Sequence, residues 1–235
     1  MSRRRFIADE VSHDRAAITG AHATHLSRVL RARIGQEFDI ALGDQVRRGT
    51  IVGIDDGRVE FELGEPIESN ATRAITLAIA IFKFDRFEWA VEKCTELGAV
   101  RIVPLISRRT DIHLARAAGK RAERWRRIAR ESSQQSRRIA APEISDPVKL
   151  REYVSAEISP SRIVLAESEG HVQLADVCRG DAALALAVGP EGGWTEEELK
   201  MFADARWQSA SLGNTILRAE TAAIAALAIV RAITD

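Results

Sequence analysis

Two short stretches near the end of the chain combine glycine with charge in a way that packing alone does not require. The first is Gly189-Pro190-Glu191-Gly192-Gly193, followed by Trp194-Thr195-Glu196-Glu197-Glu198-Leu199. Three glycines in five residues let a backbone come close to a ligand, since no Cβ stands in the way. The second is Leu212-Gly213-Asn214-Thr215-Ile216-Leu217-Arg218-Ala219-Glu220-Thr221-Ala222. An arginine and a glutamate two apart open an otherwise apolar, alanine-rich segment, and charged residues are poor choices for burial. Both stretches read as strand end, glycine turn and helix start, so together they suggest one pocket. The residues argue against a phosphate loop. There is no G-K-[ST] ending and no G-x-G-x-x-G, and Glu191 with the three glutamates after it would repel a triphosphate. A cationic or hydroxyl-rich ligand suits the loop better, the alternative being a tight strand-to-helix turn that binds nothing.

Charge is balanced over the whole chain, 34 basic against 34 acidic residues, but not along it. Between residues 101 and 138 twelve arginines and lysines face three acids, Asp111, Glu123 and Glu131. Such a run is either a solvated helix face or a surface for a polyanion. His22 and His25 stand three apart on an expected helix, but a metal needs further ligands and none is apparent, so no metal site is expected. His13, His113 and His171 stand alone. Cys94 and Cys178 lack C-x-x-C spacing and are expected to be reduced, with Cys94 in the core. Trp89 and Trp125 fall in helical segments and are expected in the core as well.

The elements that must carry these residues change character along the chain. Up to about Gly64 the sequence reads as short β-rich pieces at 5–7, 37–42, 46–54 and 58–63, with Asp55-Asp56-Gly57 as a hairpin turn. A short helix around 22–31 interrupts them. Residues 65–70 look like a linker. From about residue 73, apolar strands at 75–82, 100–106, 162–166, 183–188 and 208–212 alternate with helices. One helix places Phe87, Ala90, Val91, Cys94 and Leu97 on one face and stops at Gly98. The basic segment supplies another, to about Arg130, and two more are expected at 195–205 and 216–233. Thr195 and Glu198 form a capping box, with Trp194 and Leu199 as its hydrophobic staple. Alternation of this kind means a parallel sheet covered on both faces. The expected fold class is α/β, with a small β-barrel over residues 1–70 and a parallel-sheet domain over 73–235.

At 235 residues, with 46% hydrophobic and 29% charged composition, the chain suits one large domain or two modest ones. Disordered and collagen-like classes are excluded. The longest apolar run covers 222–230, about half of the roughly 18 residues a membrane span needs. Met1-Ser2-Arg3-Arg4-Arg5-Phe6 leads into no apolar stretch, so the expectation is a cytoplasmic protein without a signal peptide.

Taken together, G-P-E-G-G and L-G-x-x-I-L-R-x-E-T-A resemble the RsmE family of 16S ribosomal RNA uridine-N3 methyltransferases, in the SPOUT class. Arg28-Val29-Leu30-Arg31 is similar to the family's R-V-L-R. Lys93, Glu96-Leu97-Gly98 and Pro104-Leu105 are similar to its K-x-x-E-L-G and following P-L. The resemblance covers nearly the whole chain. It implies a PUA-like barrel, a C-terminal domain tied in a deep trefoil knot, a homodimer, and S-adenosyl-L-methionine as cofactor. It places Leu165, Ala166, Gly189, Pro190, Glu191, Gly192, Gly193, Leu212, Gly213, Ile216, Leu217 and Arg218 around that cofactor. The substrate it implies is 16S RNA, on the assembled 30S subunit. An RNA substrate needs phosphate contacts, for which Arg124, Arg126, Arg127 and Arg130 in the basic segment are natural candidates and Arg4, Arg5, Arg28 and Arg31 a second set. The chain departs from the family pattern at Gln134, where an acid is usual, and at Arg137, often glycine.

The sulfonium methyl of such a cofactor is already electrophilic, so the protein supplies orientation and electrostatics. A cation that stabilises the developing uracil anion would help, and Arg138 and Arg218 are the candidates. Glu220 is expected to orient Arg218 or accept the proton, and it equally fits as a helix N-terminal carboxylate. Two other functions share these features: methylation of a different RNA or position, and RNA binding without turnover.

Overall fold

The computed structural model describes residues 5–43, 45–67, 73–136, 138–180 and 182–234. Arg4, Arg137 and residues 68–70 of the expected linker lie outside them, and its first half, 65–67, is the end of a strand instead. The chain forms two compact units, one of residues 1–71 with 133–141, the other of 72–132 with 142–235.

In the first unit β1 (Arg5–Ile7), β2 (Glu10–Ser12), β3 (Arg15–Thr19), β4 (Glu37–Ala41), β5 (Val46–Asp55) and β6 (Arg58–Ile67) form one sheet in the order β1-β4-β5-β6-β3-β2. The end strands β1 and β2 do not pair with each other among the described residues, so the expected barrel is an open half-barrel. The β2–β3 pair carries too little apolar alternation to be read from sequence. Phe6, Phe38 and Phe61 meet edge to face inside the curve, with centroids 5.6 and 6.4 Å apart. The hairpin turn falls where expected, with Asp55 paired to Arg58. The expected helix at 22–31 is instead α1 (Gly20–Thr24) followed by a π-helical turn at His25–Val29.

The second unit holds an all-parallel sheet in the order β10-β8-β7-β12-β11-β13, with β9 (Glu143–Ile144) added beside β8. Its strands are β7 (Ile75–Ala80), β8 (Arg101–Ile106), β10 (Val148–Lys149), β11 (Ser161–Leu165), β12 (Leu184–Val188) and β13 (Gln208–Ala210). The helices are α2 (Phe84–Glu96), α3 (Ile112–Gln135, of which 133–135 count with the first unit), α4 (Leu150–Ala156), α5 (Leu174–Val177), α6 (Glu196–Asp204) and α7 (Ala219–Thr234). The short elements β9, β10, α4 and α5 give no periodicity long enough to read.

Every residue of β12 is buried, as a central parallel strand requires. Its two faces differ in volume. Leu186 stands in register with Leu77 of β7 and Ile163 of β11, and this row meets α2 and the alanine face of α7, Ala219, Ala223 and Ala226. Ala187 stands with Ala78 and Val164, and this shallow row is filled from the other side by Trp194, Phe202 and Trp207. Large strand residues meet a small helix face, and small strand residues meet aromatic rings. Interdigitation of that kind keeps both layers at interior density.

Helix α2 buries Phe87, Ala90, Val91 and Cys94, as the spacing predicts, and stops at Gly98. That glycine has φ +94°, and a Cβ there would stand 2.9 Å from the Arg231 guanidinium. Burial pushes the Cys94 thiol well up, which keeps it protonated. Trp125 is buried against Phe84 and Phe87. Trp89 is a correction to the sequence reading, because it is 47% exposed on the outer side of α2. Among the described residues no helix is long and apolar enough to cross a membrane, and no three His, Cys, Asp or Glu side chains cluster as metal ligands would.

Candidate functional site

The carboxyl ends of β11, β12 and β13 lie side by side, and the three loops that leave them enclose a cavity of about 550 Å³. Open parallel sheets bind ligands at this end of their strands, and the volume falls in the usual range for small-molecule sites. The β11 loop contributes Leu165 and Ala166, then Glu167, Ser168, Glu169 and Gly170. The β12 loop contributes Gly189, Pro190, Gly192 and Gly193, and the β13 loop contributes Leu212, Gly213, Ile216 and Leu217. Ten of the twelve residues that the resemblance placed around a cofactor therefore share one cavity wall. Glu191 and Arg218 are not part of that wall. Glu191 points to Arg86, and Arg218 is exposed just before α7, with no ion-pair partner among the described residues.

Local chemistry holds each loop. The Trp194 indole Nε1 donates to the carbonyl of Leu165 at 3.0 Å, joining the β12 loop to the end of β11. The indole lies against Gly189, where a Cβ would be 3.2 Å from the ring, so this close approach needs glycine. The capping box forms as expected. Thr195 N–H donates to Glu198 Oε2 at 2.9 Å, and Glu198 N–H donates to Thr195 Oγ1 at 3.2 Å. The other oxygen of the buried Glu198 accepts from the Arg108 N–H at 2.7 Å, which fastens α6 to the loop after β8. Glu169 accepts N–H bonds from His171 and Val172 at 3.0 and 3.1 Å, and those bonds hold its carboxyl below the usual range.

Two arginines that the sequence reading missed hold the loop 189–194. Arg109 lines the cavity and donates to the carbonyls of Gly192, Gly193 and Trp194. Arg86 of α2 reaches Glu191 at 3.2 Å and the buried Glu220 at 3.7 Å. A basic pair, Arg108-Arg109, placed straight after an apolar strand was the available signal for the first. Arg86 had none, since it sits on the polar side of an ordinary amphipathic helix. The other oxygen of Glu220 is buried without a hydrogen-bond partner among the described residues, and no ion pair joins Glu220 to Arg218.

The remaining candidates are spread out. Arg138 lies half-buried in the first unit, its N–H bonded to the carbonyl of Ser133 at 2.9 Å, and Gln134 is half-buried nearby in sequence. Arg5 is half-buried in β1, Arg28 pairs with Asp56 at 3.0 Å, and Arg31 is exposed with φ +51°. Arg124 and Arg126 on α3 are engaged with acids, Arg124 with Glu88 at 2.8 Å and Arg126 with Asp146 at 2.7 Å and with Glu123. Arg127 approaches Glu131 only to 3.8 Å.

Residues 68–231 match the family model described as RNA methyltransferase domain. The chain is 31% identical over 233 residues to Ribosomal RNA small subunit methyltransferase E of Synechocystis sp., spanning 97% of this chain and 76% of that protein. It is also 31% identical over 218 residues to the protein of the same name from Rickettsia conorii, spanning 89% and 86%. The crystal structure of a Ribosomal RNA small subunit methyltransferase E from Neisseria gonorrhoeae bound to S-adenosyl methionine has a similar fold. Its TM-score is 0.85 at 28% identity, over 99% of this chain and 98% of that one.

Proposed function

The chain belongs to the RNA methyltransferase domain family, and on that premise we propose that it transfers a methyl group from S-adenosyl-L-methionine to N3 of a uridine in 16S ribosomal RNA. The observation that carries this reading is the cavity closed by the three strand-end loops. Its residues fit such a cofactor. Leu165, Leu199, Leu212, Ile216 and Leu217 offer apolar surface for a flat base, while Glu167, Glu169 and Glu196 face it with negative charge suited to a sulfonium and an ammonium. When bound, the cofactor supplies an activated methyl group, so no protein nucleophile is needed.

The chain's own residues would then do three things. The glycine loop, held by Arg86 and Arg109, keeps backbone polar groups in place before the ligand arrives, which lowers the ordering cost of binding. Arg218, exposed at the rim between the cavity wall and α7, is read as the cation that stabilises the uracil anion, with Arg138 as a second. Glu220, buried and paired with Arg86, is read as a positioning residue at the N-terminus of α7, where the helix dipole favours its charge. The RNA contacts this reading starts from are Arg4, Arg5, Arg28 and Arg31 in the first unit and Arg124 and Arg127 on α3. The reading includes a trefoil knot formed by the C-terminal loops, a homodimer, the assembled 30S subunit as substrate, and a cytoplasmic site of action.

Mass spectrometry of nucleosides from small-subunit ribosomal RNA tests it, comparing wild-type cells with cells lacking the gene. The expected result is loss of 3-methyluridine that returns on complementation. An unchanged 16S profile with a modification missing from another RNA would overturn the substrate, and no change in any RNA would overturn the activity.

A further inference from the structure

Helix α3 sorts its basic residues by direction. Its buried side is Ala118, Ala122, Trp125 and Ala129. Arg121 and Arg126 leave from the flanks of that side and Arg124 from well beyond one flank, about 40° from Lys120, and each is tied down. Arg121 lies 3.5 Å from Glu88, with its guanidinium carbon 5.0 Å from the centre of the Phe84 ring. Arg124 donates to the same Glu88, whose side chain is only 13% exposed. Arg126 donates to Glu123, to Asp146 and, at 3.1 Å, to the carbonyl of Ile144. These arginines join α3 to its neighbours.

The opposite side carries Arg116, Lys120, Arg127 and Arg130, all exposed. At about 100° per residue they fall within an arc of roughly 80°, and they extend over about 21 Å of helix axis. Among the described residues Arg116, Lys120 and Arg130 have no ion-pair partner, and Arg127 has only its long, solvent-exposed approach to Glu131. Glu123, the acid on the same side, is already engaged by Arg126. From 116 to 130 the row contains no exposed large apolar side chain, the exposed Ile112 standing one turn before it, so the charged stretch lacks the central anchor that a protein interface is built around. A line of charge without an apolar centre matches a sugar-phosphate backbone, which binds through charge neutralisation.

We propose that Arg116, Lys120, Arg127 and Arg130 form a rail for the phosphates of the RNA substrate, and that Arg121, Arg124 and Arg126 are structural. Of the two α3 arginines from which the functional reading starts, Arg127 belongs to the rail and Arg124 does not. The inference rests on RNA being the substrate.

Neighbouring residues on the same helix give a matched test. Binding of the full chain to end-labelled 16S RNA is followed by fluorescence anisotropy across a series of salt concentrations. Lys120→Gln is expected to weaken binding about threefold near physiological salt and to lower the salt slope by about one. Arg121→Gln, the same loss of one charge one residue away, is expected to change neither. The fourfold variant Arg116→Gln, Lys120→Gln, Arg127→Gln, Arg130→Gln should lower the slope by about three to four and the affinity on the order of a hundredfold. Equal losses at 120 and 121, or an unaffected fourfold variant, overturn the rail. If circular dichroism shows the fourfold variant unfolded, the single pair decides. Titration with S-adenosylmethionine and methyl transfer to unmodified subunits keep the two readings apart. RNA binding that follows the rail without cofactor binding or transfer removes the transferase reading alone. Full transfer by the fourfold variant removes the rail alone.

Discussion

Trp194 and Glu169 show how single side chains hold the cavity walls. Trp194→Phe keeps the ring that packs on Phe202 at 5.1 Å but removes the donor to Leu165. It is expected to destabilise the chain by about 1–2 kcal/mol, measured by urea unfolding, and to weaken binding of S-adenosylmethionine by calorimetry. An unchanged unfolding midpoint would show that the bond between the two loops carries no weight. Glu169 makes a pH prediction of definite sign. Its carboxyl is held low by the N–H groups of His171 and Val172, so the stabilisation of its turn is present above the ordinary glutamate pKa, near 4.3, and is lost as pH falls through the lower folded value. A carboxyl carbon titration by NMR should place the Glu169 midpoint below that of an exposed glutamate; a midpoint at or above it contradicts the turn. Arg218→Ala should reduce kcat by roughly a hundredfold or more with cofactor affinity nearly unchanged, because its side chain is outside the cavity wall. A large loss of cofactor affinity instead would make Arg218 a binding residue.

The long elements were legible because each repeats a pattern over many residues. Phe87, Ala90, Val91 and Cys94 mark α2 four times over, and Leu184 to Val188 is apolar without a break. The two glycine loops were legible for a different reason, that clustered glycine marks a close approach or a positive φ: Gly189 and Gly192 are closely approached, while Gly193 and Gly213 have φ +70° and +123°. What escaped was whatever depends on partners distant in sequence. Arg86 looks like any polar helix residue until α7 brings Glu220 beside it. The residue type of Trp89 points to the core, yet it falls on the outer side of α2. The basic run was visible as charge, but its division into tied and free residues depends on Glu88 and Asp146, which lie outside it. The unequal faces of β12 give a prediction at this scale. Ala187→Leu drives a large side chain into the layer already filled by Trp194, Phe202 and Trp207, and should cost about 1–3 kcal/mol, read by thermal or urea unfolding. Little or no loss would mean that this layer is loosely filled.

Across the whole molecule the chain belongs to the first unit, then the second, returns at 133–141, and leaves again. A chain that begins at residue 73 should therefore leave 133–141 without the rest of its unit, and these amides should exchange hydrogen much faster than in the full chain; equal protection in both would contradict the division. The order of the parallel sheet carries a further consequence, for synthesis. Strand β12 pairs with β7 on one side and β11 on the other, yet it is made more than a hundred residues after β7. At ordinary elongation rates β7 waits on the order of 5–20 s for that neighbour, its edge offering unpaired N–H and C=O groups to any strand that passes. All three loops of the cavity follow residue 164, so the nascent chain has no pocket to bind until residues 165–222 have been made. Until then no ligand of that cavity can stabilise the fold, so the bare edge of β7 must be kept from other strands by means other than ligand binding.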